Sequence, residues 1–375
     1  MMTGRERLLS ALCHKEPDRV PLDIGGTTTT SINRIAYERL QDYLGLDQEI
    51  SILSQRSQIV IPREAILQQF EVDTRVINLP QSGITPPAYR DEWGVTQKFS
   101  KGSNLYIAYE GPFQNLKRPT ITDLKKHPWP DPTVIGNVSE KMMEKARQLR
   151  ERDYAAVLTL SYPLLGVVHV GQFMRGYDKW LMDLYRNPNF LEALTERITE
   201  IWTESVKNAL RALGKYVDII WWGDDLGTQQ GPLFSPAMYK KFIKPRHRRM
   251  NETIKSATNA KILFHSDGDV YPLIGDFIET GIDALNPIQP TIPNMDPGRI
   301  KKDFGRELAL WGTVDTQRVL AFGTPEDVTA EVRQRIETLA SEGGFIVSAV
   351  HNIQAEVPPE NILAMVEAVH EYGRY

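Results

Sequence analysis

Several features that mark other classes of protein are missing, or nearly so, from this 375-residue sequence. Its single cysteine, Cys13, excludes an internal disulfide and a cysteine-ligated metal cluster. No run approaches the roughly 18 apolar residues that a membrane-spanning helix needs, and the N-terminus has no apolar signal segment. The formal net charge of -4 is small, so neither a nucleic-acid groove nor an anionic membrane surface is indicated. We therefore expect a cytoplasmic protein that acts on a small molecule.

The sequence also lacks an internal repeat of fixed period and a dinucleotide-binding fingerprint, because the glycines at 25 and 26 are not spaced as G-x-G-x-x-G. It does contain a regular alternation of short apolar runs and amphipathic helical stretches. The predicted strands begin near Pro21, Asp73, Ala155, Val217, Lys261, Asp283, Leu308 and Phe345. Eight parallel strands with crossover helices close most economically as a barrel, so we predict an α/β fold, a single (β/α)8 TIM barrel over residues 1–375.

Two segments depart from this alternation. Residues 3–14 have the apolar spacing of a short amphipathic helix, which predicts an N-terminal helical extension before the first strand. Residues 88–131 consist of short polar and aromatic segments punctuated by proline and glycine, which predicts an inserted hairpin and loop segment. The insertion is either a lid over the barrel or a structural belt packed against it.

Polar side chains follow most of the predicted strands. The carboxyl ends of barrel strands share one face, so these side chains are predicted to ring one cavity that holds the chemistry. The candidates for substrate binding are Asp23, Tyr162, Trp222, Asn286, Gln289, Asn352 and Gln354.

Three of the polar residues have the chemistry of metal ligands. His265 and Asp267 lie two residues apart after the fifth strand, so an extended backbone directs both side chains to the same face, and His351 follows the last strand. Two imidazoles and a carboxylate suit zinc with one position left open. The alternative, equally compatible with the spacing, is that the histidines bind a polar substrate without metal.

Two adjacent acids, Asp224 and Asp225, follow the fourth strand and are the catalytic candidates, as general acid or base. Adjacent strand residues point to opposite faces, so at most one of them should face the cavity. The basic run at 244–249 is predicted to be a salt-bridged helix face. Structural roles are predicted for four histidines without convergent partners in the sequence: His14, His127, His169 and His370.

Six short segments carry a resemblance to a known superfamily. They are Pro-Asp-Arg-Val-Pro at 17–21, Asp-Glu-Trp-Gly-Val at 91–95, Trp-Pro-Asp-Pro at 129–132, Gly-Asp-Asp-Leu-Gly-Thr-Gln at 223–229 with Ser-Pro at 235–236, the strand ending at His265, and Pro-Pro-Glu-Asn at 358–361. Nearly from end to end, the chain resembles the uroporphyrinogen decarboxylase superfamily, which also holds cobalamin-dependent methyltransferases. The resemblance implies a (β/α)8 barrel and one of these two activities.

The two branches differ at positions that this sequence allows us to compare. The true decarboxylases carry an arginine-rich N-terminal segment for the carboxylates of the tetrapyrrole, whereas the matching stretch here, residues 20–26, has no arginine. The methyltransferases hold zinc with a His-x-Cys pair and a second cysteine. Here His265 matches the histidine, while Asp267 and His351 stand at the cysteine positions. Such a harder ligand set would suit a methoxy or hydroxyl oxygen or a methylamine better than a thiol.

The resemblance therefore implies a metal-assisted methyltransferase that acts in demethylation, with zinc as cofactor and a corrinoid protein as partner. Its leaving group would be activated by the metal or by a proton from Asp224 or Asp225. We expect a wide, funnel-shaped mouth with aromatic residues such as Trp222 near its wall. The alternative enzyme is a uroporphyrinogen decarboxylase-like carboxy-lyase that acts on a tetrapyrrole, and a third alternative is a barrel that only binds a ligand. A homodimer is compatible with the sequence.

Overall fold

The centre of the molecule is a curled sheet of seven parallel strands, in a computed structural model that describes residues 1–47, 49–79, 87–102 and 105–375. In chain order, the strands are β1 (Ser51–Ser54), β2 (Ile59–Ile61), β3 (Thr74–Asn78), β4 (Ala88–Arg90), β5 (Thr96–Ser100), β6 (Leu105–Glu110), β7 (Ala155–Thr159), β8 (Ile219–Gly223), β9 (Gly227–Thr228), β10 (Gly231–Pro232), β11 (Lys261–His265), β12 (Ala284–Asn286), β13 (Ala309–Trp311) and β14 (Phe345–Ile346). The parallel sheet has the order β3, β7, β8, β11, β12, β13, β14. Barrel strands that are consecutive along the chain are therefore also neighbours in the sheet.

Helices surround this sheet, and in the described residues none is both long and apolar enough to cross a bilayer. They are α1 (Gly4–Leu12), α2 (Arg34–Tyr43), α3 (Glu64–Gln69), α4 (Ile121–Lys126), α5 (Pro132–Ile135), α6 (Glu140–Glu151), α7 (Val167–Arg175), α8 (Tyr177–Arg186), α9 (Pro188–Leu213), α10 (Pro236–Met238), α11 (Lys244–Ala257), α12 (Ile274–Glu279), α13 (Pro297–Phe304), α14 (Val319–Phe322), α15 (Pro325–Leu339) and α16 (Pro359–Tyr372).

The first of the eight predicted strands, near Pro21, is reduced to isolated pairings that complete the barrel. Leu22 forms a parallel bridge with Val347, directly after β14, and its carbonyl accepts a hydrogen bond of 3.0 Å from the N–H of Asp73, directly before β3. Because Pro21 has no N–H and two glycines follow at 25 and 26, only a short stretch can pair. The predicted TIM-barrel fold is confirmed, although this one strand is too short to form a continuous ladder of hydrogen bonds.

Side chains alternate between the barrel interior and the helix layer. On β8, Ile219 and Trp221 belong to the inner cluster, whereas Ile220 and Trp222 pack among the surrounding helices. Trp222 is fully buried there, and its Nε1–H donates to Asn251 at 3.0 Å. The expectation that Trp222 lines the cavity wall is therefore wrong, since its position on the strand directs it outward.

The amino end of the barrel is closed by the predicted N-terminal helix. Leu8 and Leu12 of α1 are buried in the inner cluster with residues of the barrel strands. Beside them, the carboxylate of Asp73 binds the guanidinium groups of Arg7 at 2.6 Å and Arg19 at 2.9 Å. Arg19 is thus engaged at the end opposite to the carboxyl ends of the strands.

The predicted insertion forms an antiparallel sheet of β4, β5 and β6, and its residues 103 and 104 lie outside the described part of the chain. The segment packs against the loop after β7 and against α7. The Nε1–H of Trp93 donates to the carbonyl of Pro163 at 2.9 Å, and the N–H of Phe113 donates to the carbonyl of Met174 at 2.9 Å. These contacts are those of a belt beside the carboxyl rim of the barrel.

Replacement of Leu8 with alanine should lower the free energy of unfolding by about 2–5 kcal/mol, because it leaves a cavity under the barrel. Urea denaturation of the purified protein measures this loss. Leu9→Ala, a half-buried position on the same helix, is the matched control and should cost much less. Equal losses at the two positions would show that α1 does not plug the barrel.

Candidate active site

The structure brings the three predicted metal ligands together at the carboxyl rim. His265 ends β11, Asp267 follows two residues later, and His351 follows β14. One ligand atom from each residue lies within 4.8 Å of the other two. An Asp267 carboxylate oxygen, Oδ2, is 3.7 Å from His265 Nε2 and 3.8 Å from His351 Nε2. These separations are compatible with one ion between the three side chains.

The orientation of the His265 ring is set by its neighbour on the next strand. Its Nδ1 lies 2.8 Å from Asn286 Oδ1, while the Nδ2–H of Asn286 donates to the carbonyl of Trp311 at 3.0 Å. This second bond identifies Oδ1 as the atom that faces His265, so the histidine donates from Nδ1. In the neutral ring the lone pair is then on Nε2, which points to Asp267, as a metal ligand requires.

The charge of Asp267 and the surroundings of its carboxylate oxygens show whether a metal ion fits the site. Burial raises the pKa of its carboxyl, but the His265 and His351 rings outweigh burial and hold that pKa below its usual value. Its Oδ1 is buried and has no hydrogen-bond partner in the described part of the chain. An ionised, unsatisfied oxygen is costly in such a place, and a cation would remove the cost. The donor set of two imidazoles and a carboxylate fits zinc.

Asp224 faces away from the cavity and caps a helix. Its carboxylate accepts the N–H groups of Val168 at 2.9 Å and His169 at 2.8 Å, in the first turn of α7, and a bond of 3.0 Å joins it to His247 Nε2. Any side chain at Gly166 would collide with it, because a Cβ there would lie 2.2 Å from the Asp224 carboxyl carbon. The predicted catalytic role of Asp224 therefore has no geometric support, since its oxygens already hold α7 in place.

Asp225 is the member of the pair that faces the site. Its Oδ1 accepts the N–H of Asp267 at 3.0 Å and lies 3.7 Å from His265 Nε2, while its Oδ2 lies 3.0 Å from His169 Nε2. The expectation that at most one of the two adjacent acids faces the cavity agrees with this geometry.

His169, predicted to be structural, lies between the two acids. Burial alone would lower its pKa, but the carboxylates of Asp225 and Asp224 reverse the effect and raise the pKa to about 10. Burial raises the pKa of Asp225, yet the positive ring of His169 more than compensates and lowers it. At neutral pH the pair is therefore a carboxylate and an imidazolium, so the proton belongs to His169 and not to an aspartate.

Sequence reasoning missed His169 and His247 because both lie on helices and meet Asp224 only through the packing of α7 and α11 against the sheet. The one available signal for His169 was its place in the first turn of the helix that follows β7. The basic run around His247 otherwise forms the predicted salt-bridged face, with Lys244 bound to Asp276 at 2.7 Å.

The other predicted residues fall into two groups. Gln289 and Gln354 line a cleft beside the metal ligands, and Tyr162 stands at the rim, hydrogen-bonded to Asp91. Asp23 and Asn352 are buried. Asp23 accepts the Nε1–H of Trp311 at 2.9 Å and has no exposed surface, so it joins barrel strands instead of lining the cavity.

The cleft itself has a volume of about 480 Å³, the size of a small-molecule site. It is lined by Asp267, Gln289, Thr316, Gln317, Ala321, Phe322, His351, Gln354 and Glu356. Phe322 is 78% exposed and supplies the aromatic group at this side of the mouth. His265 is not among the residues that line this cleft, so the wide funnel above His265 and His351 stays a prediction.

Comparisons with known proteins agree on the fold and the family. Residues 114–372 match the family model described as Uroporphyrinogen decarboxylase (URO-D). A uroporphyrinogen decarboxylase of Pseudomonas fluorescens (strain Pf0-1) is 27% identical over 274 residues, which cover 72% of this chain and 74% of that protein. One from Aliivibrio salmonicida (strain LFI1238) is 26% identical over 286 residues, which cover 73% and 75%. A solved structure, a methyltransferase from Methanosarcina mazei, has a TM-score of 0.68 over 99% of both chains at 19% identity, which shows a shared fold.

Protein purified without added metal should carry about one equivalent of zinc or a similar divalent metal, as a three-ligand site predicts. His265→Ala should reduce the bound metal to near zero, measured by mass spectrometry of the elements. His370→Ala is the control, because His370 lies on α16 and binds the carbonyl of Phe70 at 3.1 Å. Full metal content in His265→Ala would show that the ligands are misassigned.

The raised pKa of His169 predicts a pH-dependent contribution to stability. Because the folded-state pKa of about 10 exceeds the ordinary 6.5, protonation of His169 stabilises the fold fully below about pH 6.5, and this contribution disappears as the pH rises toward 10. The unfolding free energy of the wild type minus that of His169→Gln should thus be largest near pH 6, about a few kcal/mol, and should shrink by pH 10. Denaturant titrations with a chelator present measure it; a pH-independent difference would contradict the assigned charge state.

Proposed function

The chain belongs to the uroporphyrinogen decarboxylase family, and we propose that within it the protein is a metal-assisted methyltransferase. The methyl group would pass from a small methoxylated or methylated substrate to the cobalt of a corrinoid protein. The observation that carries this proposal is the convergence of His265, Asp267 and His351 at the rim, with a buried carboxylate oxygen of Asp267 unsatisfied in the described structure. Such a site serves a reaction in which a poor leaving group has to be activated.

The overall change is a transfer of the methyl carbon. Its bond to the substrate oxygen or nitrogen would break, the methyl carbon would receive an electron pair from the cobalt(I) of the partner's corrinoid, and the released oxygen or nitrogen would take up a proton. Zinc bound by His265, Asp267 and His351 would act as a Lewis acid on that oxygen or nitrogen. The two nitrogens and one carboxylate oxygen form a harder set than thiolates, which favours an oxygen or amine ligand over a thiol.

The proton is best supplied by the pair of His169 and Asp225. Asp225 is the partly exposed member that faces His265, and His169 carries the proton behind it at 3.0 Å. This assignment replaces protonation by Asp224 or Asp225 themselves, because histidine partners hold the pKa of both carboxyls low. His169 would pass its proton to Asp225 Oδ2, and the carboxylic acid so formed would pass it on to the released oxygen or nitrogen, which leaves His169 neutral and Asp225 ionised.

The decarboxylase alternative lacks the cluster of arginines that a substrate with many carboxylates would need. The stretch 20–26 after Arg19 has no arginine, and Arg19 itself binds Asp73 at the amino end of the barrel. Several buried carboxylates without cations would each cost several kcal/mol. A tetrapyrrole with many carboxylates is therefore poorly suited to this barrel.

The proposal predicts that the zinc-loaded protein methylates chemically reduced cob(I)alamin when it is given a methoxylated aromatic compound or a methylamine. The formation of methylcobalamin, followed by its absorbance, should be lost in His265→Ala and kept in His370→Ala. Uroporphyrinogen should not be decarboxylated at an ordinary enzymatic rate. The opposite pattern, coproporphyrinogen formation without methylation of cobalamin by any donor, would replace the methyltransferase with the carboxy-lyase.

A further inference from the structure

An arginine outside the metal site, Arg56, stands at the same rim. It lies in the turn between β1 and β2, and its guanidinium carbon is 4.7 Å from the centre of the Phe173 ring and 5.4 Å from that of Tyr162. Phe173 belongs to α7, and its ring is 5.9 Å from the ring of His169. Contacts thus lead from Arg56 through Phe173 and His169 to Asp225, next to the metal ligands.

The guanidinium of Arg56 has no anionic partner among the residues that the structure describes. Its Nε is buried and makes no hydrogen bond to them, and burial lowers its pKa. Asp91, the carboxylate whose charge acts on Arg56, is occupied by Gln97 at 2.8 Å, by Tyr162 and by backbone N–H groups. Arg56 is half-buried, and each of four buried arginines lies within 3.0 Å of a carboxylate: Arg7, Arg19, Arg75 and Arg175.

We propose that Arg56 binds a carboxylate of the methyl donor, an inference that rests on the proposed function and specifies its substrate as an acid. The guanidinium lies over the rings of Phe173 and Tyr162 and donates no hydrogen bond to the residues that the structure describes, so its N–H donors remain for a planar anion. A carboxylate is the anion that one guanidinium neutralises, by two parallel hydrogen bonds. A phosphate dianion is less suitable, because Asp91 close by would repel its second charge. Arg56 lies outside the stretch 20–26, where the true decarboxylases carry their arginines.

Isothermal titration calorimetry with 4-methoxybenzoate and its neutral analogue 4-methoxybenzamide tests this assignment without turnover. The wild type should bind the benzoate more tightly than the benzamide. Arg56→Gln should weaken benzoate binding about 10- to 100-fold and leave benzamide binding unchanged, since a hydrogen bond to a charged group contributes about 1.5–3 kcal/mol. Arg56→Lys should recover part of the affinity. Arg299→Gln is the matched control, because Arg299 stacks on Tyr271 at 3.9 Å on α13.

Three results would overturn the carboxylate site: no benzoate binding to the wild type, equal benzoate affinity in Arg56→Gln, or an affinity that depends on His265 and not on Arg56. Tighter binding of 4-methoxyphenyl phosphate through Arg56 would also overturn it in favour of a phosphate site. The carboxylate site and the proposed methyltransferase activity can fail independently. Benzoate binding that needs Arg56, without methylation of cob(I)alamin, supports the carboxylate site and rejects the methyltransferase.

Discussion

The register between three neighbouring strands is the constraint on which the candidate site depends. Gly223, His265 and Asn286 lie side by side on β8, β11 and β12. Asn286 orients the His265 ring, and Gly223 leaves room for it, because a Cβ at Gly223 would lie 2.7 Å from the Cβ of His265. A slip of one residue would turn His265 into the helix layer, since side chains alternate along a strand.

Buried charge organises the layer around this core of strands. The Asp224 carboxylate is fully buried, yet it joins β8 to the first turn of α7 and to His247 on α11. The same contacts bring His169 against Asp225. The buried carboxylate of Asp224 therefore positions His169, which carries the proton next to Asp225. Loss of Asp224 would uncap α7 and also release His169 from its position.

The two ends of the barrel divide the work between stability and chemistry. At the amino end, α1 fills the interior and Asp73 engages Arg7 and Arg19. At the carboxyl end, charged groups remain incompletely satisfied within the described residues, notably a buried oxygen of Asp267 and the Nε of Arg56. Unsatisfied buried groups are expensive for a fold, so their occurrence together at one rim is consistent with ligands of opposite charge.

Much of the architecture was predictable because strand periodicity is local. Alternation of apolar runs and helices identified the starts of the barrel strands, and the spacing of two between His265 and Asp267 placed both on one face. The same parity distinguishes Asp225 and Trp221, which point inward, from Asp224 and Trp222. The prediction that Trp222 lines the cavity was wrong because Trp222 has the outward parity and Trp221 the inward one.

By itself, the sequence determined the fold class and the gathering of His265, Asp267 and His351, because the carboxyl ends of parallel strands must share one rim. Only the tertiary structure decided that His169 contacts the carboxylates of both Asp224 and Asp225, and that Arg56 reaches the rim from a distant turn. Helix and turn residues lack such a rule: their positions at the site depend on how each element docks on the sheet. That docking is the sum of many weak apolar contacts, which no spacing along the chain encodes.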